Sequence, residues 1–286
     1  MTASTISKNV STRRIVHRTQ GHRDGPITRL ISPGDLGELV KPFVFLDHFE
    51  QMSDEPVSLA VHPHSGIATH TTLLQGSIDY ADSTGKSGIL RPRSVEWMQA
   101  GGGVWHGGGP IAGERVRAFQ LWIALPPQLE LEAAFSDYVD ADTIATEGPA
   151  RILLGSYGTI RSTVRYREPV TYLHVKLRDG ERWTYTPASH HDVAWLAVSV
   201  GALRVSGTKV GRELAVFEEG STPIDVVADG AAELVVASAT KHPYPLVTGR
   251  YSVHTNSDSL RTGEAGYAAI ARTMKLVPGQ SINVTR

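Results

Sequence analysis

The 28 glycines and 16 prolines of this 286-residue chain fall between short apolar runs and not inside long helical patterns, so the backbone is cut into pieces of strand length. Pro42 to Phe49, Thr71 to Gln75, Val116 to Leu125, Trp195 to Val200 and Leu234 to Ala239 are rich in branched or aromatic residues, which predicts strands buried on both faces. In Thr171 to Arg178 the alternation is sharp, with Leu173, Val175 and Leu177 on one face and Tyr172, His174, Lys176 and Arg178 on the other. That pattern predicts a strand with one wetter side. Helical signals are few. Leu129 to Tyr138 reads as a short helix after Pro126-Pro127. Near the end, Asn256 or Ser257 can cap a helix along which Tyr267, Ile270, Ala271 and Met274 recur. The chain is therefore expected to be all-β with one C-terminal α-helix. At roughly 150 residues per domain the length suggests two units. Pro126-Pro127 through Pro149 is the natural join, giving two β-barrels or sandwiches over 1–130 and 131–286.

Composition narrows the function classes. Lys and Arg total 28 against 29 Asp and Glu, so no net charge draws the chain to nucleic acid. No apolar run approaches the roughly 18 residues that a membrane span needs. Cysteine is absent, which removes disulfides, thiolate metal sites and cysteine nucleophiles and leaves nitrogen and oxygen as the only metal ligands. From Met1 to Arg23 there is no acidic residue, a feature shared with organellar transit peptides. No secretory apolar core follows, and Arg14 to Arg18 alternates as a first strand would, so the segment reads as a short tail on a cytoplasmic protein. Gly85-Lys86-Ser87 lacks the upstream glycine of a phosphate-binding loop, since Tyr80 stands there.

The chemistry-bearing residues cluster between Val61 and Pro110. His62-Pro63-His64 places two imidazoles two residues apart, so on a strand they share a face. Alone, such a pair reads equally as exposed or core-satisfied histidines. About forty residues later, Gly101-Gly102-Gly103-Val104-Trp105-His106 offers a third imidazole after a turn that can fold back. Three imidazoles suit iron, manganese, nickel or copper better than calcium or magnesium. His70 shares the strand parity, but six residues from His64 is roughly 20 Å if extended, too far without a sharp bend. His48 is expected at a pocket rim or in a surface or capping role. His190-His191 face opposite ways, so the second unit is expected to be metal-free. Trp105 reads as a wall for an aromatic substrate or as a core residue. Glu96 and Asp82 read as supporting carboxylates or, better, as a solvated turn or strand edge.

The stretch His62-Pro63-His64-Ser65-Gly66, with Gly76, Asp82-Ser83-Thr84-Gly85, Gly88, Pro92, Trp97-Met98, Ala100-Gly101, Gly103 and His106, resembles the signature of the pirin family. Pro42-Phe43, Leu46-Asp47-His48-Phe49, Gln120-Leu121-Trp122 and Leu125-Pro126 are similar to it as well. The resemblance implies a bicupin, a tandem cupin fold of two antiparallel β-barrels with one mononuclear metal in the amino-terminal barrel. Pirins include iron-containing nuclear proteins that modulate transcription factors in animals, and members that oxidise quercetin as 2,3-dioxygenases. For this chain that implies one divalent transition metal, Fe(II) first. It also implies an oxidoreductase acting on a small aromatic substrate, either a quercetin-like flavonol or another enolisable aromatic. The alternative is a non-catalytic sensor or regulatory protein that binds a protein partner.

Carried over by motif, the family's metal ligands fall on His62, His64 and His106, and its glutamate falls on Gly108. The general cupin glutamate falls on Ala68 or Thr69. With no carboxylate ligand the site is one negative charge short, so weaker metal binding and partial occupancy are expected. An anionic substrate oxygen would be favoured as an added ligand. No catalytic base is assigned, and Gly108→Glu is expected to strengthen metal binding if Gly108 is the only defect.

Overall fold

The computed structural model describes residues 13–51, 59–166, 168–275 and 283–284. Apart from Pro42 and Leu125 at their ends, the five apolar runs lie in strands, within Phe43–Gln51, Ile67–Gln75, Val116–Ala124, Val193–Val205 and Ile224–Ala239. Most of the first barrel comes from a seven-stranded antiparallel sheet in the spatial order Phe135–Val139, Val95–Gln99, Ile67–Gln75, Val116–Ala124, Phe43–Gln51, Ile27–Ile31 and His22–Asp24. A four-stranded sheet, in the order Leu59–His64, Val104–Pro110, Ile78–Asp82 and Ser87–Leu90, completes it. Both sheets contribute to the wall of one cavity.

A nine-stranded sheet builds the second barrel, and its long strands Val193–Val205 and Ile224–Ala239 pair along most of their length. Register shifts on either side of Val200 bend that pair, as bulges do in barrel walls. The interior is filled by apolar side chains, among them Ile152, Leu173, Val175, Trp183, Leu196 and Val236. The architecture is thus all-β, with two antiparallel barrels in tandem, a one-turn helix at Leu36–Val40 and the expected C-terminal helix, here Ser257–Thr273.

The barrels share a core. Phe43, Leu46, Trp97 and Phe119 of the first pack with Leu153, Tyr172 and Trp195 of the second in one buried cluster. Phe43 meets Trp195 edge to face at 5.5 Å between ring centroids, a geometry worth about 0.5–1.5 kcal/mol beyond its buried area. This junction corrects the expectation for Thr171 to Arg178. Leu173, Val175 and Leu177 fill the second barrel, and of the face expected to be wetter Lys176 and Arg178 are exposed while its first half lies against the first barrel. Tyr172 and His174 are buried there, and within the strand Val170–Leu177 only Lys176 is exposed. The polar side chains are satisfied in place: His174 Nε2 lies 2.9 Å from Glu233, which also pairs with Lys176 at 3.0 Å and with Arg117 of the first barrel.

Leu129 to Tyr138 is not a helix. Turns cover its start, and Phe135–Val139 is a strand that pairs with Val95–Gln99 at the sheet edge, where unpaired backbone groups gain more from a neighbouring strand than from an isolated helical turn. This strand of the later half sits in the first sheet, while Ile15–Thr19 from the start of the chain pairs with Leu214–Phe217 in the second. The C-terminal helix begins as its cap predicts, Asn256 Oδ1 accepting from Ser259 N at 2.8 Å. It docks on the first barrel through Gly263, where a Cβ would come within 2.6 Å of both Ser65 Oγ and His254 Nε2. Among the described residues no helix is long and apolar enough to cross a membrane.

Candidate metal centre

The strand Leu59–His64 carries His62 and His64 with their rings on a common side, and Val104–Pro110 runs antiparallel to it with His106 directly opposite His62. The three rings therefore meet, their centroids 4.5 to 5.0 Å apart. One nitrogen from each lies within 4.8 Å of the others, so the cluster could hold a metal ion. Its tautomers follow from the acceptors behind it. A carbonyl oxygen only accepts, so His62 Nδ1–H donates to Ala60 O at 2.7 Å and His64 Nδ1–H to Tyr251 O at 2.9 Å. His106 Nδ1 faces Glu96 Oε1 at 3.5 Å.

The Nε2 atoms of His62 and His106 lie 3.1 Å apart, a hydrogen bond when His106 carries a proton there and a pair of ligand atoms when it does not. Two nitrogens each about 2.1 Å from one ion, at a right angle, would be about 3.0 Å apart, so the observed spacing fits a shared metal. Protonation also suits this use. Burial and then the neighbouring His106 hold His62 down to about 4, and burial with both neighbouring rings holds His64 well below its ordinary value. Neutral imidazole is the ligating form.

Beside the rings lies a cavity of about 480 Å³. Phe45 and Trp122 stack on its wall at 4.0 Å, and the Trp122 ring meets His64 edge-on at 4.8 Å. Tyr80 and Tyr251 add aromatic surface, and Arg29, paired with Asp47, lies over the Phe45 ring. Backbone forms one side, at Gly107, Gly108 and Gly109. Gly108 has φ +157 and sits after a register shift from the Leu59–His64 strand. A Cβ there would overlap the Asp79 carbonyl oxygen on the neighbouring strand, so this position does not open toward the rings.

Other sequence-selected residues lie elsewhere. His70 is buried at the barrel junction against Trp97 and Tyr172, outside the cluster. His48, expected near a rim or the surface, is buried with Nε2 2.9 Å from Ser199 Oγ of the second barrel. Trp105 does not line the cavity; its Nε1–H donates to Tyr267 O at 2.8 Å and ties down the C-terminal helix. His190 and His191 pack against each other, with His191 Nδ1 2.7 Å from Ser238 Oγ. Asp82 is buried, not solvated, and accepts from Ser136 Oγ at 2.6 Å and Tyr138 Oη at 2.8 Å.

Glu96 is likewise buried and lines the cavity. Burial alone would push its carboxyl up, but His106 and the Thr71 hydroxyl outweigh that and hold it below the usual range. A charged residue between Val95 and Trp97, in a strand with no exposed position, was the available signal for it. Tyr251 had none, because its part is played by a backbone carbonyl. Ser65, His254 and Glu130 form a chain resembling a hydrolytic triad, with spacings of 3.0 and 3.2 Å. All three are buried under the C-terminal helix, so the chain serves as a tie between the first barrel and the segment that leads into that helix.

Comparison with known proteins agrees with the geometry. The family profile described as Pirin matches residues 26–123. A pirin-like protein of Caulobacter vibrioides is 30% identical over 217 residues, covering 68% of this chain and 72% of the relative. A Pseudomonas aeruginosa protein, provisionally named a quercetin 2,3-dioxygenase, is 27% identical over 241 residues, covering 78% and 83%. The crystal structure of quercetin 2,3-dioxygenase from Acinetobacter baumannii superposes with a TM-score of 0.81 at 22% identity, over 91% of this chain and 98% of that one, which establishes the shared fold. The histidine cluster, the tandem barrels and these likenesses together place the chain in the pirin family.

Proposed function

We propose that the protein is a mononuclear metal-dependent dioxygenase of quercetin-like flavonols or other enolisable aromatics, with His62, His64 and His106 holding Fe(II). The observation that carries this reading is the meeting of three outward-anchored imidazoles, two of whose Nε2 atoms are 3.1 Å apart, at a cavity walled by aromatic rings. The provisional name of the Pseudomonas aeruginosa relative supports the substrate class. When bound, the ion supplies the Lewis acidity and one-electron chemistry that the reaction of an enol with dioxygen needs. The chain supplies the rest. The stacked Phe45 and Trp122 present apolar surface to a flat ring, the backbone at Gly107 to Gly109 leaves room for it, and the Ala60 and Tyr251 carbonyls keep two imidazoles in their ligating tautomer. Three neutral ligands without a coordinating carboxylate bind more weakly than the family's four.

In this reading the three ligands belong to the first unit, 1–130, while the second unit, 131–286, adds the Tyr251 carbonyl behind His64 and otherwise serves as support. The test is elemental analysis of protein refilled anaerobically with Fe(II), then oxygen uptake with quercetin. Near-stoichiometric iron, uptake above the iron-only control and loss of both in His62→Ala are expected. No bound iron and no uptake would overturn the reading in favour of a non-catalytic, partner-binding role.

A further inference from the structure

We propose that Glu96 supplies through His106, from behind the ring, the negative charge that a glycine at position 108 withholds from the metal. The inference rests on the three-histidine centre proposed above. It begins from a steric fact: a side chain at 108 would run into the strand carrying Asp79, so no carboxylate can enter from that position. Among the described residues three carboxylates line the cavity, those of Asp47, Asp79 and Glu96. Asp47 is committed to Arg29, and Asp79 accepts from Gly109 N at 2.5 Å. Of these three only Glu96 abuts one of the clustered imidazoles, with Oε1 3.5 Å from His106 Nδ1.

Its placement is built. Glu96 lies directly across from Thr71 in the sheet, and the Thr71 hydroxyl, itself 2.7 Å from Gln120 Oε1, holds the second carboxylate oxygen. One oxygen is fixed and the other is left to His106. A carboxylate on the far nitrogen of a metal-bound imidazole fixes the tautomer and raises the basicity of the ligating nitrogen. His62 and His64 have neutral carbonyls in that place. Of the three ligands, His106 alone would bind as a charge-assisted imidazole, and Glu96 is its positioning residue.

The test measures metal affinity and electronic structure, not turnover. Fe(II) and Co(II) dissociation constants are determined by chelator competition for wild type, Glu96→Gln, Glu96→Asp and Thr71→Val, with melting of the metal-free forms measured in parallel. Loss of such a partner typically weakens metal binding 10–100-fold, and that is expected for Glu96→Gln. Its Co(II) ligand-field bands should shift, and Glu96→Asp should recover part of the affinity. A Glu96→Gln protein that folds, binds Co(II) within about twofold of wild type and keeps the wild-type spectrum would overturn the inference while leaving the three-histidine centre intact. If Glu96→Gln does not fold, Glu96→Asp decides: weakened binding with altered bands supports the role, and unchanged values refute it. Failure of wild type to bind either metal would overturn the centre itself, and this inference with it.

Discussion

Gly108→Glu would restore by sequence the carboxylate that the family places two residues after the third histidine, and the structure predicts that it fails. At φ +157 a Cβ on residue 108 lies about an ångström inside the 3.0 Å that real Cβ atoms keep from other atoms, and the atom it meets is backbone, the Asp79 carbonyl oxygen. Relief requires separating Val104–Pro110 from Ile78–Asp82, which pair from His106↔Asp82 to Pro110↔Ile78. A shift of about an ångström stretches N–H···O contacts past about 3.2 Å. Losing about two of these, at about 0.5–1.5 kcal/mol each, adds to about 1–3 kcal/mol of backbone strain, for a total of about 2–6 kcal/mol. At roughly 2–4 °C per kcal/mol in a chain of this size, the metal-free melting temperature should drop by roughly 4–24 °C. The assay is calorimetry of both proteins in chelator, followed by Fe(II) titration, in which the variant should bind no tighter than wild type. Unchanged melting together with tighter iron binding would refute the reasoning, because it would mean the strand can turn residue 108 toward the rings.

Two further predictions concern stability. His48 and His70 are buried, and burial is the main cause holding each down to about 4 from 6.5. Between those values the unfolded chain takes up protons that the folded chain refuses, so their contribution is complete above about pH 6.5 and lost as pH falls toward 4, up to about 3 kcal/mol each. Denaturant titrations in chelator should show lower stability at pH 5 than at pH 7, and equal stability would contradict the assignment. His254→Ala removes the ring that spans Ser65 and Glu130 and leaves a cavity beneath the C-terminal helix. A loss of about 2–4 kcal/mol in the same titration is expected, and a change under about 0.5 kcal/mol would show that the tie is dispensable.

What could be read from the residues divides by range. Strand runs such as Val116 to Leu125 and the helix capped at Asn256 are local patterns, and both appear where composition and period put them. The meeting of His62, His64 and His106 was legible because parity fixes two of them and a glycine turn returns the third. Partners brought in by packing were not legible. Tyr172 and His174 looked solvent-facing until the first barrel covered them, and His48 met Ser199 across the same junction. Leu129 to Tyr138 followed an open sheet edge in preference to its helical spacing. The sequence showed Gly108 as a missing ligand; only the neighbouring strand shows that position to be closed.

The carbonyl that accepts from His64 belongs to Tyr251, and 187 positions of chain separate the two. A nascent polypeptide leaving the ribosome has all three rings long before it has that acceptor. The tautomer of His64 is therefore set only when the late part of the sequence has packed on the early part, and a fragment ending near residue 130 would expose the rings without the clamp that sets one of them.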